Sequence, residues 1–232
     1  MEHKKTMRNR IIHHNMALVG GFLGSYAILC RADFLGNAQT ANLIYLVHAI
    51  LGQNAHEVLL RLIALALYFT STMLFVVVRD KSNWNVQKVS LGIDLIAIIA
   101  LGLIPLSVNP IIGLFPIFFS MAFQWNAFPG GYGYVSSTIF STNNTRQVAL
   151  SVAEYFCHKD KRKIHKAVFF LGSILCFHLG VAIAYIVTKY ASVHGVWLAC
   201  IFLLPAALLV CQEEQLSRLD HSEILTGARK EG

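Results

Sequence analysis

Residues 137–146 read STIFSTNNTR, a run of small polar residues ending in an arginine. It lies between apolar stretches long enough to cross a bilayer. Lipid offers no hydrogen bonds, so backbone this polar survives at membrane depth only where protein or water satisfies its N–H and C=O groups. The run is therefore either a surface loop or the start of a helix that opens inside the protein, and the flanking sequence decides between them.

The 232 residues are 56% hydrophobic and 13% charged, about half the charged share of an average soluble domain. Charge is nearly absent from residues 58–78, 89–106, 111–128, 168–187 and 196–210. Most of these approach the ~20 residues needed for a transmembrane helix. The first apolar stretch follows a basic head with Lys4, Lys5, Arg8 and Arg10. No small-residue cleavage site occurs near Leu29 and further spans follow, so residues 11–29 read as a first membrane helix rather than a signal peptide. The formal charge of +7 reflects Lys and Arg clustered between spans, as the positive-inside rule requires, and points to no nucleic-acid partner. Cys30, Cys157, Cys176, Cys200 and Cys211 have neither CxxC nor Cys/His zinc spacing. They read as apolar packing residues, and no metal or other cofactor is expected.

Six clear spans leave two shorter segments, 38–51 and 136–156, each following or containing a polar run. Either all eight helices cross, or six cross and two enter and leave on one side. With six crossings and a cytoplasmic N-terminus, the basic head, the loop with Arg79, Lys81 and Lys88, the cluster 159–166 and the tail all lie inside. With eight, the Arg79–Lys88 loop faces outward against the rule. A 14-residue segment is also only about 21 Å long as a helix. The expected architecture is an all-α membrane protein with six transmembrane helices plus two short re-entrant or broken half-helices, with eight crossings as the alternative.

Shifting the chain by 102 residues lays Thr40, Asn42, His56 and Phe75 onto Thr142, Asn144, His158 and Phe177, and short segment onto short segment. A duplicated unit with three crossings inserts in opposite senses, so two inverted repeats are expected, 1–108 and 109–211, followed by a cytoplasmic tail, 212–232. Broken helices in inverted repeats are a common transporter plan, with the site where the polar starts meet. A half-helix N-terminus favours an anion or polar oxygen. The same Ser, Thr and Asn groups equally serve to cap and hold helices.

GGFLGSYAIL at 20–29, AQTANLIYL at 38–46, FQWNAF at 123–128 and SSTIFSTNNTRQ at 136–147 resemble the signatures of the YoaK-like family of bacterial polytopic membrane proteins, domain of unknown function 1275. The resemblance covers nearly the whole chain and brings no settled activity. It implies an inner-membrane protein with a TGN-like element, here Thr40, Ala41 and Asn42. It also implies a QN-type element, here Gln124 with Asn126, and a second TxN element, Thr142 with Asn144. Gly24 stands where many members carry an acidic residue, which weakens any charge-dependent role for the first helix. Ala41 stands where they carry glycine.

Ionisable groups at depth are expensive and therefore functional by default. His178, near the middle of 168–187, is a proton-relay candidate or a neutral histidine bonded to a neighbouring helix. Asp94, a turn into its span, is either such a functional charge reaching the interface or a structural group at a helix end. Arg146, one turn after Thr142, either clamps a carboxylate or phosphate or reaches to the surface. Glu57 and Arg61 form an i, i+4 pair of small value. The glycines at 130–133 lack a following Lys-Ser/Thr and read as a hinge, not a phosphate loop.

No catalytic constellation is present and no enzyme is expected. The leading expectation is a secondary transporter or channel for a small polar or anionic solute. Its site would lie between the two short segments, at Gln39, Thr40, Asn42, Gln124, Asn126, Thr142, Asn144 and Arg146. The alternative is a non-transporting membrane scaffold or sensor. The expected setting is the bacterial inner membrane, multi-pass, with both termini cytoplasmic and the bilayer and a small solute as partners; homo-oligomerisation is left open.

Overall fold

The computed structural model describes the backbone of residues 2–31 and 38–228 and the side chains of residues 6–31 and 38–215. Among them the elements are α1 (Glu2–Cys30), α2 (Gln39–Leu51), α3 (Ala55–Lys81), α4 (Val86–Leu103), α5 (Pro110–Gly113), α6 (Phe115–Ala127), β1 (Gly130–Gly131), β2 (Tyr134–Val135), α7 (Thr142–His158), α8 (Lys161–Ala191), a 3-10 turn (Ser192–Leu198) and α9 (Ala199–Ala228). The described residues are all-α apart from one hairpin. Among the described residues four helical stretches are long and apolar enough to cross a membrane: Ala55–Lys81, Val86–Leu103, Pro110–Ala127 and Lys161–Gln215. The last is not one rod, because Ser192 adopts φ 51° and the 3-10 turn separates α8 from α9.

Large apolar side chains line the outside. Phe69, Met73, Val77, Ile96, Leu175, Leu179, Leu204 and Leu208 are all exposed, the reverse of a water-soluble surface and the pattern lipid favours. Trp84, next to the amino-terminal end of α4, and Tyr190, near the end of α8, are exposed at helix ends, where amphipathic rings match the membrane–water boundary.

The middle of α1 is enclosed, with Met16, Ala17, Val19, Phe22, Leu23, Tyr26 and Ala27 fully buried. It is not among the four apolar stretches. Protein surrounds it, so His13, His14 and Asn15 find partners or packing there instead of facing lipid. Its apolar run was expected from residue 11, but the helix begins at Glu2. Close approach is possible because Gly21 meets the carbonyl of Phe177 and Gly180 meets that of Leu18, so α1 and α8 touch backbone to backbone.

The packing has a pattern. α1 packs on α8 and α3 on α6; α2 packs on α3 and α7 on α8; α1 packs on α9 and α6 on α4; and α4 meets α9. One core joins both halves, from Phe22 and Tyr26 through Phe75, Ile98 and Phe123 to Leu203.

α2 has 13 residues and α7 has 17, so as helices they are about 20 and 25 Å long. The stretch expected to be helical from 136 is not. Residues 130–135 turn back through Tyr132 and Gly133, both at positive φ, the requirement of a type I′ hairpin. Residues 136–141 then run irregularly into α7. The glycine-rich stretch is thus a built turn rather than a hinge.

Candidate functional site

Ser136, Ser137, Thr138 and Ile139 are each no more than 4% exposed, so the first part of the quoted polar run is irregular backbone enclosed by protein, while Thr142 to Arg146 open α7. Gly20 makes the room, since a Cβ there would lie 2.1 Å from the Thr138 carbonyl oxygen. The segment satisfies itself locally. Ser137 Oγ accepts from the N–H groups of Ile139 and Phe140. Asn144 Oδ1 accepts from Ser137 N–H at 3.2 Å, and its Nδ2 donates to Ser137 C=O at 2.8 Å. Ser141, at the N-cap, makes no side-chain cap bond. The polar residues therefore pin the incoming strand instead of capping the helix start.

This knot is tied to two other helices. Gln124 donates from Nε2 to Thr138 Oγ1 at 3.0 Å and to Met16 C=O at 3.2 Å. His13, 1% exposed, has Nδ1 3.1 Å from the Phe128 carbonyl and Nε2 2.9 Å from Ser136 Oγ. Ser136 Oγ also lies 3.0 Å from Asn144 Oδ1, and the His13 ring stacks on Phe169 of α8. His14 bonds the carbonyl of Phe169. His13 falls inside the span expected at residues 11–29, so the sequence carries the signal of an imidazole at depth there as well as at His178.

A second polar group forms just beyond the other end of α1. Arg31 is 1% exposed and donates to the carbonyls of Ile104 at 2.6 Å and Pro105 at 3.0 Å. It thereby closes the carboxyl-terminal end of α4, where a cation is favoured. Gly113 lets it in, for a Cβ there would come within 2.8 Å of the guanidinium carbon. Arg61 bonds Glu57 through Nε and Nη2 and lies over the Tyr45 ring at 4.7 Å. Its carbonyl accepts from Asn42 Nδ2 at 3.2 Å. A cavity of about 300 Å³ opens beside them, lined in part by Arg31, Tyr45, His56, Glu57, Arg61 and Asn109. The Glu57–Arg61 pair is accordingly no loose surface contact: the Arg61 side chain is only 7% exposed.

The eight residues expected to form one site are thus divided. Gln124 and Asn144 join the first group, and Asn42 with Gln39, which accepts from Asn42 Nδ2 at 3.4 Å, belongs to the second. Thr40, Thr142 and Arg146 are exposed, and Asn126 donates to Ala122 on its own helix. Eighteen residues separate His13 from Arg31, about 27 Å of helix, so the polar starts of α2 and α7 do not meet. Packing explains this, since each short helix lies on the long helix that follows it. Buried acceptors without a hydrogen-bond partner occur in both groups, at Gln124 Oε1 and Asn42 Oδ1.

Two other ionisable residues differ from expectation. Asp94 is fully buried within 3.5 Å of Ser90 Oγ, not at a helix end. His178 is exposed and bonds Ile174 on its own helix, so it joins no buried network. His178→Ala should change stability by less than about 0.5 kcal/mol, measured as thermal unfolding in detergent. Among the described residues no three His, Cys, Asp or Glu side chains gather as a metal site. At the start of α8, Asp160 accepts from Arg162, and that bond holds its carboxyl below the usual carboxylate range.

A family model described as a protein of unknown function, DUF1275, matches residues 12–210. No curated protein and no solved structure matches the chain.

Proposed function

The chain belongs to the DUF1275 family of proteins of unknown function, and from its geometry we propose that it is a secondary transporter or channel for a small anionic or polar solute. The observation that carries this reading is the paired packing. Exchanging α1 with α6, α2 with α7, α3 with α8 and α4 with α9 maps α1·α8 onto α3·α6, α7·α8 onto α2·α3 and α1·α9 onto α4·α6, and leaves α4·α9 in place. A three-span unit duplicated in opposite senses has this property, and such inverted repeats move against each other in many carriers. On this reading six helices cross, α2 and α7 are re-entrant, and both termini lie on the cytoplasmic side of a bacterial inner membrane.

The two polar groups then sit toward opposite faces of the bilayer. Arg31 and Arg61, beside the cavity at one end, favour a carboxylate or phosphate as solute. The open acceptors of Asn42 and Gln124 suit the O–H or N–H groups of a polar solute or of water. The reading assigns no catalysis and no nucleic-acid partner.

Two measurements test it. In intact cells, a single cysteine at Gln53 should react with an impermeant thiol reagent while cysteines at Asn83 and Gly133 do not; the reverse pattern sinks the six-span arrangement. In proteoliposomes, wild type should take up at least one small carboxylate or phosphate faster than empty vesicles, and Arg61→Gln should slow that uptake severalfold. No uptake across a broad anion panel favours the second reading, a scaffold or sensor. That reading has its own support, because Asn144 is bonded wholly within the protein.

A further inference from the structure

We propose that His13 is a proton-binding site that ties α1 to residues 136–144; its link to solute movement rests on the carrier reading above, whereas proton binding itself does not. The inference comes from counting hydrogens. His13 Nδ1 faces the Phe128 carbonyl at 3.1 Å, and a carbonyl can only accept. Nε2 lies 2.9 Å from Ser136 Oγ, which lies 3.0 Å from Asn144 Oδ1. The Asn144 amide cannot be turned over, because Nδ2 donates to Ser137 C=O while Oδ1 accepts from Ser137 N–H. Its Oδ1 can therefore only accept from Ser136.

Three contacts thus need three hydrogens along one line, and a neutral imidazole with one serine hydroxyl supplies two. If the neutral ring carries its proton on Nδ1, the single Ser136 hydrogen must choose between His13 Nε2 and Asn144 Oδ1. With the proton on Nε2, the Nδ1 lone pair faces the Phe128 oxygen. The imidazolium makes all three bonds: Nδ1–H to Phe128, Nε2–H to Ser136, and Ser136 O–H to Asn144. Ser173 does not alter the count, as its hydroxyl donates to Phe169 C=O and lies 3.5 Å from Ser136 Oγ.

Other charges set the balance. On α1 itself, His14 lies 6.3 Å away between ring centroids, and Arg10 lies over Tyr132 of the hairpin. Both disfavour a further positive charge. α8 presents Phe169 and Ser173, with Lys166 over Phe170; α7 presents Asn144; and on α9 Glu214 is paired with Lys88. No carboxylate among the described residues bonds His13, so the stabilisation of the charged ring comes from Phe128 and Ser136. Taking up the proton tightens the hold of α1 on the segment before α7, and releasing it frees one of the three contacts. That is the coupling a proton-linked carrier needs between a titrating group and a re-entrant segment.

The test uses the full-length protein in nanodiscs, labelled with 15N-histidine and titrated from about pH 8 to pH 4, with the His13 signal assigned by its loss in His13→Gln. The ring should pass from the neutral to the doubly protonated signature while the fold, followed by tryptophan fluorescence, is retained. Ser136→Ala, which removes one acceptor of the charged form, should move that transition down by about one pH unit. A His13 ring that stays neutral while the protein stays folded overturns the inference, as does an unmoved transition in Ser136→Ala. Protonation without solute uptake in vesicles leaves the proton site standing and removes the carrier. Uptake with a ring that never titrates does the opposite.

Discussion

Gly21→Ala and Gly180→Ala should each destabilise the protein by about 3 kcal/mol or more, at the upper end of what overpacking costs. A Cβ on Gly21 would sit 1.9 Å from the Phe177 carbonyl oxygen, and one on Gly180 would sit 2.0 Å from that of Leu18. Both obstacles are helical backbone, which cannot rotate aside as a side chain can. The substitutions must push α1 and α8 apart. Among the described elements these two helices share the most extensive contact, where Gly21 of α1 meets Phe177 and Gly180 of α8 meets Leu18 and Phe22. Ser25 Oγ also donates to the Val181 carbonyl there, and separation weakens that bond. Small residues at such contacts are how membrane helices approach closely enough for dispersion and backbone polarity to hold them. The measurement is thermal unfolding in detergent, where a drop of roughly 6 °C or more is expected for a chain of this size. Gly92→Ala is the control: nothing lies within 4 Å of its added methyl, and removing a mid-helix glycine gains up to ~1 kcal/mol. Equal effects at Gly92 and Gly180 would remove close packing as the cause.

Asn144→Ala should cost about 2–4 kcal/mol, because it leaves the Ser137 N–H and C=O and the Ser136 hydroxyl without this partner in a site that excludes water. Asn144→Asp should rescue little. Its carboxylate accepts from Ser137 N–H but cannot donate to Ser137 C=O, and it brings charge into a buried site. The neighbours Thr142 and Asn143 are exposed, and alanine there should shift stability by less than ~0.5 kcal/mol. Unfolding midpoints read these differences, and protease cleavage within 136–141 gives a second readout, rising only when the segment is released. If Asn143→Ala and Asn144→Ala behave alike, the segment is not held as described.

Much of this molecule is legible in one dimension. Apolar runs of helical length with basic residues between them give the helix order, and α2 and α7 emerge as short helices on length alone. The shift that matches Thr40 and Asn42 with Thr142 and Asn144 picks out two asparagines that are both buried. What the letters do not carry is direction. Four residues of TNNTR are exposed and one is buried, because only Asn144 turns inward onto Ser136 and Ser137. His178 and His13 are alike as letters, but one lies on the outer face of α8 and the other in the centre of the helix packing.

Partners far apart in the chain are invisible for the same reason. His13 finds Phe128 and Ser136 across 115 and 123 residues, and Arg31 finds Ile104 across 73. The sequence by itself determined a helical chain with helices apolar enough to cross a membrane and two short polar interruptions, because composition and length set which helices lipid can accept. Only the tertiary structure decided that the interruptions lie at opposite ends of α1. Glycine contacts set how near each helix may come, and that distance fixes which polar groups can reach one another.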